Sequence, residues 1–220
     1  MGTTSTKYYI YLVVFLGLLS AFGPFVIDMY LPALPEMTEV FRCESSTVQL
    51  SLTFCMIGLA VGQLLFGPAS DKYGRKSVLV FSLVVFVTAS VICCMSTSVV
   101  AFTAARFLQG IGGAGGIVLS RSIAADIYFG RELAKLIAIL SAINNLAPVA
   151  APLAGGAVVH VWGWQGIFII LLVLGSILLG MCVPLRESLA PEKRFAGKLI
   201  TSVRGYRQVL KIKGFTAYCI

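Results

Sequence analysis

Two ionisable residues sit deep in apolar sequence: Asp28, in LLSAFGPFVIDMYL, and Arg106, in AFTAARFLQGIGG. They are the only acid and the only base so placed. An isolated charge at the centre of a bilayer costs about 2.5–3.5 kcal/mol, so each needs a partner or a route to water. The chemistry open to them is an ion pair. If their two segments are neighbouring helices of opposite direction, the axial offset between them is roughly 6 Å at 1.5 Å rise per residue. Such a pair can be functional or only structural, and Asp28 can instead sit at the interface. Gln109, Asn144 and Asn145 are further polar groups that hydrocarbon solvates poorly.

A second concentration of charge is GPASDKYGRKSVL, Gly67 to Leu79, with Asp71, Lys72, Arg75 and Lys76 between two apolar runs. Gly67-Pro68 is expected to end one helix, and Gly74 to permit a sharp turn before the next. A loop that only set topology would need the cations but neither the glycines nor the acid.

Enzyme chemistry finds no support. GIGGAG, Gly110 to Gly115, spells a dinucleotide fingerprint, but it follows AARFLQ where a strand should precede it. His160 is the only histidine and has no carboxylate near it in sequence. The six cysteines, among them Cys55, Cys93, Cys94 and Cys182, show no CxxC or Cys/His spacing. They read as small apolar fillers, and no metal or organic cofactor is expected.

Composition fixes the elements that must hold these residues. Only 12% of the 220 residues are charged and 58% are hydrophobic, with a mean hydropathy of +0.94. A water-soluble domain averages about 25% charged. The class is therefore an all-α integral membrane protein. Six segments can cross a bilayer, near 8–31, 47–67, 77–96, 99–120, 136–159 and 164–184, each reaching the roughly 20 residues required. Barrel strands of about ten residues with alternating polarity are excluded. The first segment is too long and too interrupted, by Asp28, for a signal peptide.

Orientation follows from the basic residues. Lys7, then Lys72, Arg75 and Lys76, then Arg121, Arg131 and Lys135, and finally a basic tail all fall on one side. The opposite connections carry only Arg42, beside Glu36, Glu39 and Glu44. The N-terminus (1–7) and the tail are thus expected on the cytoplasmic side. The net charge of +8 then faces anionic lipid, and nucleic acid is not needed to explain it. In the tail, residues 186–213, Phe195, Leu199, Val203, Tyr206 and Leu210 recur at helical spacing, opposite Arg204, Arg207 and Lys211. That pattern describes an amphipathic helix on the inner leaflet, or else a solvated basic loop.

Gly58 and Gly62, and Gly112 and Gly116, place small residues four apart, which lets helices approach closely. Pro148 and Pro152 remove donors from one side of the fifth segment and should bend it.

With these residues in view, the chain resembles the major facilitator superfamily of secondary transporters. Gly67, Asp71, Gly74, Arg75 and Lys76 match the family's loop signature, although its usual Leu is Ala69 here. Arg106, Gln109 and Gly110 match its R-x-x-Q-G pattern. APVAAPLAGG resembles the antiporter motif through Pro148, Pro152, Gly155 and Gly156, with Ala147 and Ala151 in place of glycines. IDMYLPALP looks like the drug/proton antiporters of the bicyclomycin/chloramphenicol-resistance (Bcr/CflA) branch, while Gln165 stands where that branch usually has Arg.

The resemblance implies six spans at 8–185 arranged as two inverted three-helix repeats, which is half of the family's fold. It implies a cytoplasmic linker at 186–213 and the start of a seventh span at 214–220. It implies proton coupling at Asp28 and Arg106, with Gln109, Asn144 and Asn145 lining a substrate cavity. Residues 67–76 would form a cytoplasmic gate. The expected function is efflux of drug-like small molecules by proton antiport across the bacterial inner membrane, in half-length form. The expected partners are lipid, the small-molecule substrate, and either a C-terminal half or a second copy. The alternatives are a metabolite facilitator or symporter, and a membrane fragment without transport activity that only associates with other helices.

Overall fold

The computed structural model describes residues 6–195. The expectations for 196–213 and 214–220 lie outside the described residues. Seven α-helices follow in order: α1 (Thr6–Ser20), α2 (Phe22–Asp28), α3 (Leu34–Val40), α4 (Ser45–Tyr73), α5 (Arg75–Met95), α6 (Val99–Ile127) and α7 (Gly130–Met181). Short 3-10 turns occupy Leu31–Ala33 and Pro191–Lys193. Among the described residues there is no strand.

Each of the six expected segments is helical, and the helix ends show where the chain departs from expectation. The first segment is broken between α1 and α2, because Pro24 has no N–H to offer the carbonyl of Ser20, the last residue of α1. Gly67-Pro68 does not end a helix. Pro68 is buried inside α4, which runs on to Tyr73 and stops at Gly74. There φ is 96° and ψ is 150°, a conformation only glycine adopts without strain. α6 likewise continues past its apolar stretch to Ile127 and carries Asp126 with it.

Pro148 and Pro152 both lie within α7. The interruption comes later, at Gly163, where φ is 66°. Unbroken, the 52 residues of α7 would extend about 78 Å, more than twice the hydrocarbon thickness. The break yields two arms, which match the expected fifth and sixth segments.

Among the described residues four stretches are long and apolar enough to cross a membrane: Lys7–Val40, Ser45–Tyr73, Arg75–Met95 and Gly130–Met181. α6 falls short of that apolarity because Arg106, Gln109 and a run of glycines dilute it. Its position explains the composition. α6 packs along α4 and α5 and also meets α1, α2 and α7, so it is the central rod.

The glycines bring it close to its neighbours. A Cβ on Gly110 would lie 2.1 Å from the carbonyl oxygen of Cys55, and one on Gly58 would lie 2.2 Å from that of Phe107. Backbone therefore meets backbone between α4 and α6. Large apolar side chains such as Leu64, Leu65, Phe81, Leu153 and Val173 point outwards. That placement suits a protein whose solvent is lipid.

Candidate functional site

The structure places Arg106 in the middle of the bundle with none of its surface exposed. Its Nη1 donates to Oε1 of Gln109, three residues on along α6. Its Nη2 donates to the Val26 carbonyl at 3.0 Å. Val26 lies in the last turn of α2, where carbonyls run out of intrahelical donors and the helix end is partly negative. The guanidinium also lies over two aromatic faces, 4.7 Å from the Tyr30 centroid and 5.6 Å from that of Phe168. Tyr30 and Phe168 pack in turn with Phe102 and Trp164, and all four are buried.

The expected ion pair between Asp28 and Arg106 is therefore not formed. Among the described residues no carboxylate lies within 4.0 Å of Arg106. The cation is held by a carbonyl, an amide and aromatic faces, while its Nε has no partner. Heights along two helices can be read from a sequence, but the rotation of each helix about its axis cannot. Asp28 ends α2 and is half-buried, free of ion pairs among the described residues.

Gln109 also differs from expectation. It is fully buried, and its Nε2 donates to Ser90 Oγ on α5 at 2.8 Å, so in this arrangement it is turned away from any open cavity. Ser90 Oγ donates onward to the Phe86 carbonyl. Asn144 is half-buried and Asn145 exposed, on the first arm of α7. The motif residues on that arm divide by packing. A Cβ on Gly155 would fall 2.1 Å from the Met29 carbonyl, beside the end of α2, whereas Gly156 has open space around it. Ala147 and Ala151 are buried on the same helix.

The loop at 67–76 is the second site, and it is more connected than its sequence suggests. Arg75 bridges Asp71 at 2.6 Å and Asp126 of α6 at 2.9 Å. It also donates to Ser70 Oγ at 2.6 Å. Arg75 is mostly buried while half of the Asp71 side chain remains exposed, so the acid keeps capacity for another donor. The segment after α7 is strapped across the loop. Lys76 Nζ donates to the carbonyls of Val183 and Leu185. Glu187 accepts from the backbone N–H groups of Arg75 and Lys76 at 2.9 and 3.3 Å, supplying the cap that the N-terminus of α5 lacks from its own residues. Ser188 Oγ donates to Asp126 at 3.0 Å, and the Phe195 N–H donates to the Asp71 carbonyl at 2.9 Å.

Sequence reasoning missed Asp126, Glu187 and Ser90. The signal for the first two was present: each is an acid set among cations, Asp126 between Arg121 and Arg131, and Glu187 after Arg186. Ser90 carried no signal, since nothing distinguishes it from the other serines of an apolar helix.

Residues 13–220 match the family model of the Major Facilitator Superfamily. An uncharacterized MFS-type transporter of Bacillus subtilis, YdgK, is 41% identical over 93% of this chain and 52% of its own length. A bicyclomycin resistance protein homolog of Haemophilus influenzae is 32% identical over 92% of this chain and 51% of its own. The chain thus spans about half the length of the curated relatives it matches. In architecture it resembles the proton:xylose symporter XylE, with a TM-score of 0.75 over 94% of this chain and 54% of that one at 14% identity, a likeness of fold alone. The loop signature on α4 and α5, the arginine and glutamine of α6 and the all-helical bundle around them agree with the family match, and the chain belongs to the major facilitator superfamily.

Proposed function

We propose that this chain supplies one half of an exporter of drug-like small molecules that is driven by proton antiport across the bacterial inner membrane. The observation that carries this reading is the 32% identity, along nearly the whole chain, to a relative named for bicyclomycin resistance. The site's chemistry is compatible with it. Asp28 is a half-buried carboxyl at a helix end with no ion pair among the described residues, so it can change protonation without breaking a salt bridge.

The mechanism is competition. Asp28 takes a proton when the site opens outwards and loses it as substrate enters from the cytoplasm. Arg106 and Gln109 tune that exchange by position, because Arg106 holds the Val26 carbonyl two residues before Asp28 and Gln109 holds Arg106. Asn144 and Asn145, with Pro148 and Pro152 beside them, face the cavity that a second six-span half, or another copy, would complete. The Asp71–Arg75–Asp126 cluster, with Lys76, is the cytoplasmic gate. Its exposed acid is left to accept a donor from the partner half. Gly67 and Gly74 give that loop its shape.

The test is efflux driven by a pH gradient in vesicles carrying the chain together with a second half. Asp28→Asn is expected to abolish proton-driven efflux at unchanged protein level. Equal efflux by that variant would remove Asp28 from the mechanism.

A further inference from the structure

Four buried groups form one chain of hydrogen bonds through three helices. It begins at Ser90 on α5, passes through Gln109 and Arg106 on α6, and ends on the Val26 carbonyl of α2. Ser90, Gln109 and Arg106 have no exposed surface. Each link fixes the next. The Ser90 hydroxyl spends its proton on the Phe86 carbonyl and is left as an acceptor for Gln109 Nε2. That sets which end of the Gln109 amide faces Arg106, and it is the oxygen. An amide turned the other way would present its NH₂ to the guanidinium, donor against donor. The hydroxyl of Ser90 therefore orients the Gln109 oxygen, which takes one of the two hydrogen bonds that hold the guanidinium.

Arg106 in turn holds the end of α2, two residues before Asp28. Two other buried serines, Ser82 and Ser120, bond only within their own helix, to the Leu79 and Ile117 carbonyls.

We propose that Ser90 is a positioning residue for Asp28: through Gln109 and Arg106 it anchors the last turn of α2, and so sets where the carboxyl sits. This inference rests on the reading of Asp28 as the coupling carboxyl, but its structural content can be measured without transport.

The experiment is hydrogen exchange by mass spectrometry on the full chain in lipid nanodiscs. It follows the amides of Met29, Tyr30, Leu31 and Ala33, with those of residues 121–127 at the far end of α6 as an internal control. Ser90→Ala is expected to speed exchange at 29–33 by about tenfold, as a local opening and not a global one. Gln109→Leu should do the same, and the double variant should be no faster than either single, because the groups act as one unit. Ser90→Thr, which keeps the hydroxyl, should restore slow exchange, and Ser82→Ala should leave 29–33 unchanged.

Unchanged exchange at 29–33 in both Ser90→Ala and Gln109→Leu would overturn the proposal. So would an equal increase with Ser82→Ala, or additive effects in the double variant. If Ser90→Ala does not fold, Gln109→Leu decides the outcome alone. Failure of Asp28→Asn to alter efflux would leave these exchange results standing, so the two readings fail separately.

Discussion

At the scale of the residue, what matters is how a guanidinium is kept in a low-dielectric interior without a carboxylate. Arg106 gives one donor to a helix-end carbonyl and one to an amide, and lies over two aromatic faces. Cation–π contact contributes about 2 kcal/mol when desolvated. Arg106→Met would leave the Val26 carbonyl and the Gln109 amide oxygen unpaired, at about 1–3 kcal/mol for each buried group. Thermal unfolding in detergent should therefore show a clear loss for Arg106→Met. Arg106→Lys, which keeps a charge but not the planar fork, should lose less without being silent.

At the loop, Gly74 carries two demands at once. Its φ of 96° disfavours any side chain, and a Cβ there would meet Glu187 Oε2 at 2.4 Å. Gly74→Ala should then strain the turn by about 1–3 kcal/mol and push Glu187 off the start of α5. Tryptic cleavage at Arg186 and Arg194 should become faster. Unchanged cleavage would show that the strap does not depend on that cap.

At the scale of the element, the helices act as spacers whose faces are set by small residues. Gly155 and Gly156 are adjacent in sequence and opposite in consequence. Gly155→Ala must displace the Met29 carbonyl, while Gly156→Ala meets nothing within 4 Å. Overpacking of this kind typically costs 1–3 kcal/mol. Gly155→Ala is expected to lower thermal stability by about that amount, and Gly156→Ala to leave it unchanged, both followed by unfolding in the same detergent.

The same scale explains what was legible in advance. Helix placement was readable because twenty apolar residues in lipid have few alternatives to a helix. Helix ends were harder to read. Pro68 suggested a stop, yet α4 continues through it to a glycine whose positive φ no sequence states. The partners of Arg106 and Arg75 were not legible either. Asp28 was at the right height to meet Arg106, but azimuth decided the outcome, and Asp126 came into reach only because α6 runs seven residues past its expected end at 120.

At the scale of the whole molecule, the chain mixes apolar and polar side chains on its outer surface. Its curated relatives are about twice as long. The first arm of α7 exposes Leu146, Val149 and Leu153 beside the polar Asn145. Arg106 and Gln109 are buried, while Asp28 and Asn144 are half-buried and Asn145 is exposed. Sized by mass in detergent, the 220-residue chain alone is expected to associate beyond its monomer mass of 23.5 kDa, and to export nothing. A monodisperse monomer that exports substrate would show that no second half is needed.

In the proposed mechanism, substrate and proton compete through Asp28. That competition is tested most directly by proton release on addition of a drug-like molecule that the efflux assay shows to be exported, followed with a pH-sensitive dye in weakly buffered detergent solution of the chain paired with a second half. The wild type is expected to release protons, and Asp28→Asn to release none while still binding the same molecule. Equal release by both proteins would contradict it.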